Sequence, residues 1–200
     1  MRNREPSLYY VIGILITLIA CTEEISFSKA KAAQPALRVG MELSYPPFEM
    51  TNTAGQPDGI SVELAHSLGK HLGRKILIEN IAFDGLIPAL RTGTIDCIIS
   101  SMTSTPERAK AIAFSNPYLK TGLTLLVGKN SPILSADDIT KPDVRIAVKL
   151  GTSAHKYATQ KLKNAHVFVL DMESAAVLEV MQDKVDAFIY DSLSVYRHHR

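Results

Sequence analysis

The sequence predicts an α/β protein of two lobes, and three observations predict it. From Leu37 onward, short apolar runs alternate with amphipathic stretches, the pattern of strands and the helices that cover them. The alternation runs twice, once from "LRVGM" to "DCIIS" and again from "VRIAVK" to "DAFIY". Between the rounds, the apolar strand "LTLLV" runs into Gly128, Lys129 and Asn130, a break that places the join there. With 200 residues, 46% hydrophobic and 21% charged, the chain suits a globular protein of one or two domains.

In the first round the elements are strand "LRVGM", a helix from Gly59 to Leu72, strand "KILIEN", a helix from Gly85 to Arg91 and strand "DCIIS". Thr105 then reads as a helix N-cap and Pro106 as the first helical residue, which puts Arg108 in the first turn. A cation there opposes the helix dipole at a cost of a few tenths to about 1 kcal/mol. In the second round come strand "VRIAVK", a helix from Ser153 to Leu162, strand "HVFVL", a helix from Glu173 to Gln182 and strand "DAFIY". The expected lobes are 37–126 and 127–200.

The N-terminus has a different composition. "MRNREPSLYYVIGILITLIAC" opens with Arg2 and Arg4, continues as an apolar run and ends on small residues before Cys21, the layout of an export signal. Residues 18–21, Leu-Ile-Ala-Cys, resemble a bacterial lipobox, which makes 1–20 a lipoprotein-type signal peptide and Cys21 the lipidated residue. An ordinary signal cleaved near Ala30-Lys31-Ala32, or an uncleaved anchor, are the other readings. Residues 21–36 are polar, small and unpatterned, a tether between membrane and fold.

A net charge of +2 with both signs interspersed argues against nucleic-acid binding. The two cysteines, Cys21 and Cys97, have no reason to meet, and Cys97 in "IDCIIS" reads as a small buried hydrophobe. The histidines are scattered apart from His198-His199, which reads as a frayed end, so neither a metal nor another cofactor is expected.

Ligands of open α/β sheets bind beyond the carboxyl ends of the strands. The loops there carry Glu42, Tyr45, Phe83, Ser101, Thr103, Arg108, Lys149, Ser153 and Asp191. Two cations, two acids, two aromatics and a set of hydroxyls suit a zwitterion. Singly, each has a plainer explanation: Tyr45 packs a turn, Phe83 staples a helix that Asp84 caps, Arg108 pairs with Glu107, and Lys149 and Asp191 are solvated. Their convergence on one strand edge favours a site.

The pieces "YPPFEM", "GISVELAHSLGKHLG", "FDGLIPALRTGTIDCIIS", "MTSTPERAKAIAFSNPY" and "VKLGTS", in this order, resemble the extracellular solute-binding proteins for polar amino acids, the receptors of bacterial ABC importers. Ser61 stands where that family usually has an acid, on a helix and not directly at the pocket. The resemblance implies a type II periplasmic-binding-protein-like fold that closes on its ligand by hinge bending, with partners that are a free amino acid and an ABC permease. It implies that Arg108 grips the ligand α-carboxylate, helped by the N–H groups of Thr103 and Ser153. Asp191 takes the α-ammonium with the Ser101 carbonyl and the Thr103 hydroxyl. Tyr45 and Phe83 sandwich the side chain, Glu42 meets its polar end, and Lys149 guards the mouth or contacts Glu42.

Glu42 and "IISS" are similar to binders of cationic amino acids and Lys149 to binders of glutamine, so glutamine and arginine are both expected ligands. Relatives continue past the position of Asp191 with a return segment that completes the first lobe. The sequence as given stops before that segment, so it is a fragment or frameshifted product, or lobe 1, incomplete as it stands, is completed otherwise, and marginal stability in isolation is expected. Two other functions fit the resemblance less closely: a same-fold dehydratase acting on prephenate or arogenate through Glu42 or Asp191, and a sensory amino-acid-binding lipoprotein. The expected location is periplasmic or cell-surface, anchored by lipid at Cys21, or soluble in the periplasm.

Overall fold

The computed structural model describes residues 34–198, so the signal, most of the tether with Cys21, and His199 lie outside it. Strand β1 (Leu37–Met41) is the centre of a parallel sheet, flanked by β5 (Ile76–Asn80) and β6 (Cys97–Ile98) in the order β5-β1-β6. Helix α1 (Ile60–Leu72) covers one face and closes a core of Leu37, Val39, Met41, Val62 and Ala65. Alternate residues of β1 share that face because a strand's side chains point up and down in turn. Cys97 packs half-buried against the same core, and burial pushes its thiol up.

The second sheet has the order β7-β10-β8-β9, built from β7 (Leu123–Val127), β8 (Arg145–Lys149), β9 (His166–Leu170) and β10 (Ala187–Asp191). Helices α4 (Ser153–Lys161), α5 (Glu173–Met181) and α6 (Ser192–His198) pack against it. Ile146, Val148 and Ile189 join one core and Ala147, Phe188 and Tyr190 another, which is why "RIAVK" and "AFIYD" read as unbroken apolar runs. β7 runs antiparallel to β10 over its whole length, from Leu123 opposite Asp191 to Val127 opposite Ala187. The expected lobe boundary at 126/127 therefore falls inside a strand of the second sheet. The described residues, 34–198, fall in one compact unit.

Three local expectations are corrected. "DCIIS" yields only the two-residue β6, because the chain turns at Ser100 to enter the site. Asp84 does not cap the helix that follows: it sits within a 3-10 turn, Phe83–Gly85, and Gly85 precedes α2 (Leu86–Arg91) without a side-chain cap. The C-terminal residues through His198 are helical, not frayed. A small antiparallel sheet of β2 (Ser44–Tyr45), β3 (Glu49–Thr51) and β4 (Pro57–Asp58) was not foreseen. No helix among the described residues is long and apolar enough to cross a membrane.

Candidate functional site

A cavity of about 600 Å³ opens where the carboxyl ends of β1, β6 and β10 meet the N-termini of α3 (Pro106–Ala109) and α4. Glu42, Tyr45, Phe83, Ser101, Thr103, Arg108, Ser153 and Asp191 all line it. Lys149 does not. It is buried behind the wall, with its side chain 2% exposed, and its ammonium donates to Glu42 Oε2. Two residues 107 apart in sequence thus neutralise one another inside the protein.

Arg108 owes its place to the short helix α3. Thr105 caps it by accepting from Arg108 N at 3.3 Å, and Pro106 fixes the first turn. The guanidinium donates from Nη1 to the Thr103 carbonyl at 2.7 Å and from Nη2 to the Gly151 carbonyl at 2.8 Å. It lies 5.4 Å from the Phe83 ring centroid. Glu107, the nearest acid in sequence, pairs with Lys156 instead. Among the described residues no carboxylate pairs with Arg108, and burial alone pulls its pKa down. A half-buried guanidinium with N–H donors to spare is set to receive an anion from outside the chain.

Gly151 makes that arrangement possible. Its φ is +74°, and a Cβ there would lie 2.9 Å from Asp84 Cβ. Only glycine lets the loop after β8 pass this close to the 83–85 turn and set its carbonyl on Arg108. The next residue, Thr152, caps α4 by accepting from His155 N at 3.2 Å, which leaves Ser153 as the first residue of that helix.

At the end of β10, Asp191 Oδ1 accepts the Tyr45 hydroxyl and, at 3.2 Å, the Ser194 N–H. No described contact engages Oδ2. Tyr45 stacks on Phe48 with centroids 5.6 Å apart and meets Tyr190 edge-on at 6.1 Å. Burial, and then its bond to Asp191, pushes the phenol up, so it stays protonated and donating. The wall thus holds a fixed anion at Asp191 and a fixed cation at Arg108.

Sequence reasoning missed one acid. Glu49 on β3 lines the cavity and is 1% exposed. Its Oε2 accepts from Ser61 Oγ at 2.5 Å and Ser101 Oγ at 3.0 Å, and its Oε1 from Ser100 Oγ at 3.4 Å. Burial pushes its pKa up to about 7 against the pull of those hydroxyls, with Glu42 adding repulsion. Ser61, expected on a helix and not directly at the pocket, meets it indirectly, through Glu49. The available signal was an acid between Phe48 and Met50, flanked by apolar residues in a run that ought to be buried.

Arg197 was also missed. From α6 it donates to the Pro46 carbonyl and, at 2.6 Å, to Glu173, which also accepts from Ser194 and contacts His198 at 2.7 Å.

The model of the bacterial extracellular solute-binding proteins, family 3, matches residues 37–192. The L-cystine-binding protein TcyJ of Escherichia coli strain K12 is 32% identical over 160 residues, which cover 79% of this chain and 59% of TcyJ. The chain thus spans about three fifths of that relative's length. Among solved structures, the ancestral amino acid-binding protein AncCDT-1, a precursor of cyclohexadienyl dehydratase, superposes with a TM-score of 0.78 at 39% identity, covering 82% of this chain and 74% of that one. An ancestral arginine-binding protein bound to glutamine gives a TM-score of 0.76 at 33% identity, covering 82% and 73%. The fold is that of the type II periplasmic amino-acid-binding proteins.

Proposed function

From the premise that this chain belongs to the bacterial extracellular solute-binding proteins of family 3, we propose that it binds a polar amino acid outside the cytoplasm and delivers it to an ABC import permease. One observation carries the reading. Among the described residues Arg108, half-buried, pairs with no carboxylate and shares a cavity with Asp191, which pairs with no cation, and a free amino acid supplies both missing charges. Burying a zwitterion is otherwise too costly.

In this reading Arg108 takes the α-carboxylate with the N–H groups of Thr103 and Ser153. Asp191, the Ser101 carbonyl and the Thr103 hydroxyl take the α-ammonium. Tyr45 and Phe83 flank the side chain. Glutamine is favoured over arginine, because Lys149 already satisfies Glu42 and leaves no free acid there for a guanidinium. The ancestral arginine-binding protein bound to glutamine supports the view that this scaffold accommodates both. Calorimetric titration with the common amino acids tests it: micromolar binding of glutamine is expected, and no binding tighter than millimolar by any of them refutes the receptor function. Export by the 1–20 signal and lipidation at Cys21 complete the proposal, and a mass shift on the N-terminal peptide of membrane-purified protein checks it.

A dehydratase is the second reading, supported by the likeness to a dehydratase precursor and by Glu49, a cavity carboxyl that titrates near neutrality. Turnover of prephenate would establish it in place of the receptor.

A further inference from the structure

Three serine hydroxyls from two parts of the chain converge on one buried carboxylate that, among the described residues, no ion pair uses. Ser61 comes from α1, and Ser100 and Ser101 from the strap between β6 and α3, residues 99–105. Ser100 Oγ also accepts the Glu42 N–H at 3.0 Å, so its lone pair and its proton are both engaged. Ser101 has φ +49°, a left-handed conformation that a residue with a side chain holds only when its surroundings impose it. In this conformation its hydroxyl donates to Glu49 Oε2 at 3.0 Å. Two residues later the same strap offers the Thr103 carbonyl to Arg108 Nη1.

We propose that Glu49 is the positioning residue of this cavity: by taking the hydroxyl protons of Ser61, Ser100 and Ser101 it holds the strap in the left-handed turn that sets the Ser101 carbonyl and the Thr103 carbonyl in place. Glu49 itself need not touch a ligand. It acts through Ser101, on the side where an ammonium is taken, and through Thr103, which braces the guanidinium. The same bond explains how Ser101 serves the site: its hydroxyl is spent on Glu49, leaving its backbone carbonyl for the ligand. The ligand part of this proposal rests on the receptor reading, whereas the part concerning the strap does not.

A glutamine at position 49 has one oxygen acceptor and one amide donor where the carboxylate has two acceptors, so at least one serine must turn away. The test uses the full-length chain, its Glu49→Gln variant and the pair Ser101→Ala and Ser101→Gly. Without ligand, amide hydrogen exchange of residues 101–104 speeds up in Glu49→Gln and Ser101→Ala, while exchange in β8 and β10 is unchanged. With L-glutamine as probe, Glu49→Gln binds about tenfold more weakly. Ser101→Gly, free to adopt positive φ, binds about tenfold more tightly than Ser101→Ala although both lack the hydroxyl. A direct hydroxyl contact with the ligand would make the two serine variants equal, and that equality overturns the proposal. So does unchanged strap exchange in Glu49→Gln. If Glu49→Gln fails to fold, strap exchange in Ser101→Ala, which lacks the hydroxyl bonded to Glu49, decides: faster exchange supports the proposal and unchanged exchange overturns it. If wild type binds no amino acid, the receptor reading falls and the exchange comparison still decides the role of Glu49.

Discussion

Arg108, half-buried, and Lys149, buried, are cations at the same loop edge, and their surroundings give them opposite roles. Arg108 is held by two carbonyls and carries its charge unneutralised, whereas Lys149 has Glu42 against it. Removing one member of a buried pair strands the other, so Lys149→Met should lose about 3 kcal/mol in urea unfolding. The same variant frees Glu42, and its preference between glutamine and arginine should swing toward arginine, measurable by competition calorimetry.

Glu49 gives a pH signature whose sign follows from its environment. Its folded-state pKa of about 7 stands above the ordinary 4.5, so between those values the folded protein holds a proton the unfolded chain has released. The stability it contributes is full below pH about 4.5 and is lost as pH rises through about 7. Glu49→Gln cannot ionise. The stability of wild type relative to that variant should therefore fall by about 3 kcal/mol between pH 4.5 and 8, read from urea midpoints. Sequence alone exposed Arg108, Asp191, Tyr45 and Phe83, because each follows a strand whose carboxyl end the apolar pattern locates. It hid Glu49, whose three hydroxyl partners lie 12, 51 and 52 residues away, and it hid which of the two cations is neutralised.

Elements of five or more residues were legible where burial on both faces or a helical period marks them, as in β1, β8, β10 and α1. The sheet of β2, β3 and β4 was not, since strands of two or three residues are too short to show a period. His198, expected in a frayed end with His199, belongs instead to α6, whose anchors are distant in sequence: Arg197 reaches the Pro46 carbonyl 151 positions back, and Glu173 is buried beneath it. Arg197→Ala removes both bonds and leaves Glu173, whose Oε2 is already without a partner, less compensated. The expected loss is about 2 kcal/mol by urea unfolding.

Across the whole molecule, the half that carries the first sheet meets the half that carries the second through Tyr45 with Asp191, Glu42 with Lys149, Glu107 with Lys156, and Arg108 with the Gly151 carbonyl. Each of these contacts except that between Glu107 and Lys156 borders or lines the cavity, so occupancy and the joining of the two halves are coupled. A ligand touching both halves stabilises this arrangement by about 2.7 kcal/mol at a hundredfold excess over Kd. Thermal melts with saturating glutamine should rise, and melts of Asp191→Ala should not respond. The two-round α/β pattern was readable from residue order. The pairing of β7 with β10 was not, because antiparallel addition to a parallel sheet leaves no mark on hydrophobic period.

The central claim is that Arg108 is a carboxylate clamp waiting for a ligand. Titration of L-glutamine into wild type and Arg108→Ala, with unfolding midpoints taken on the same samples, tests it most directly. Micromolar binding is expected in wild type, no measurable heat in the variant and, before ligand is added, a cooperative unfolding transition in both, with that of the variant lowered by the loss of the bonds to the Thr103 and Gly151 carbonyls. Undiminished binding by Arg108→Ala would contradict it.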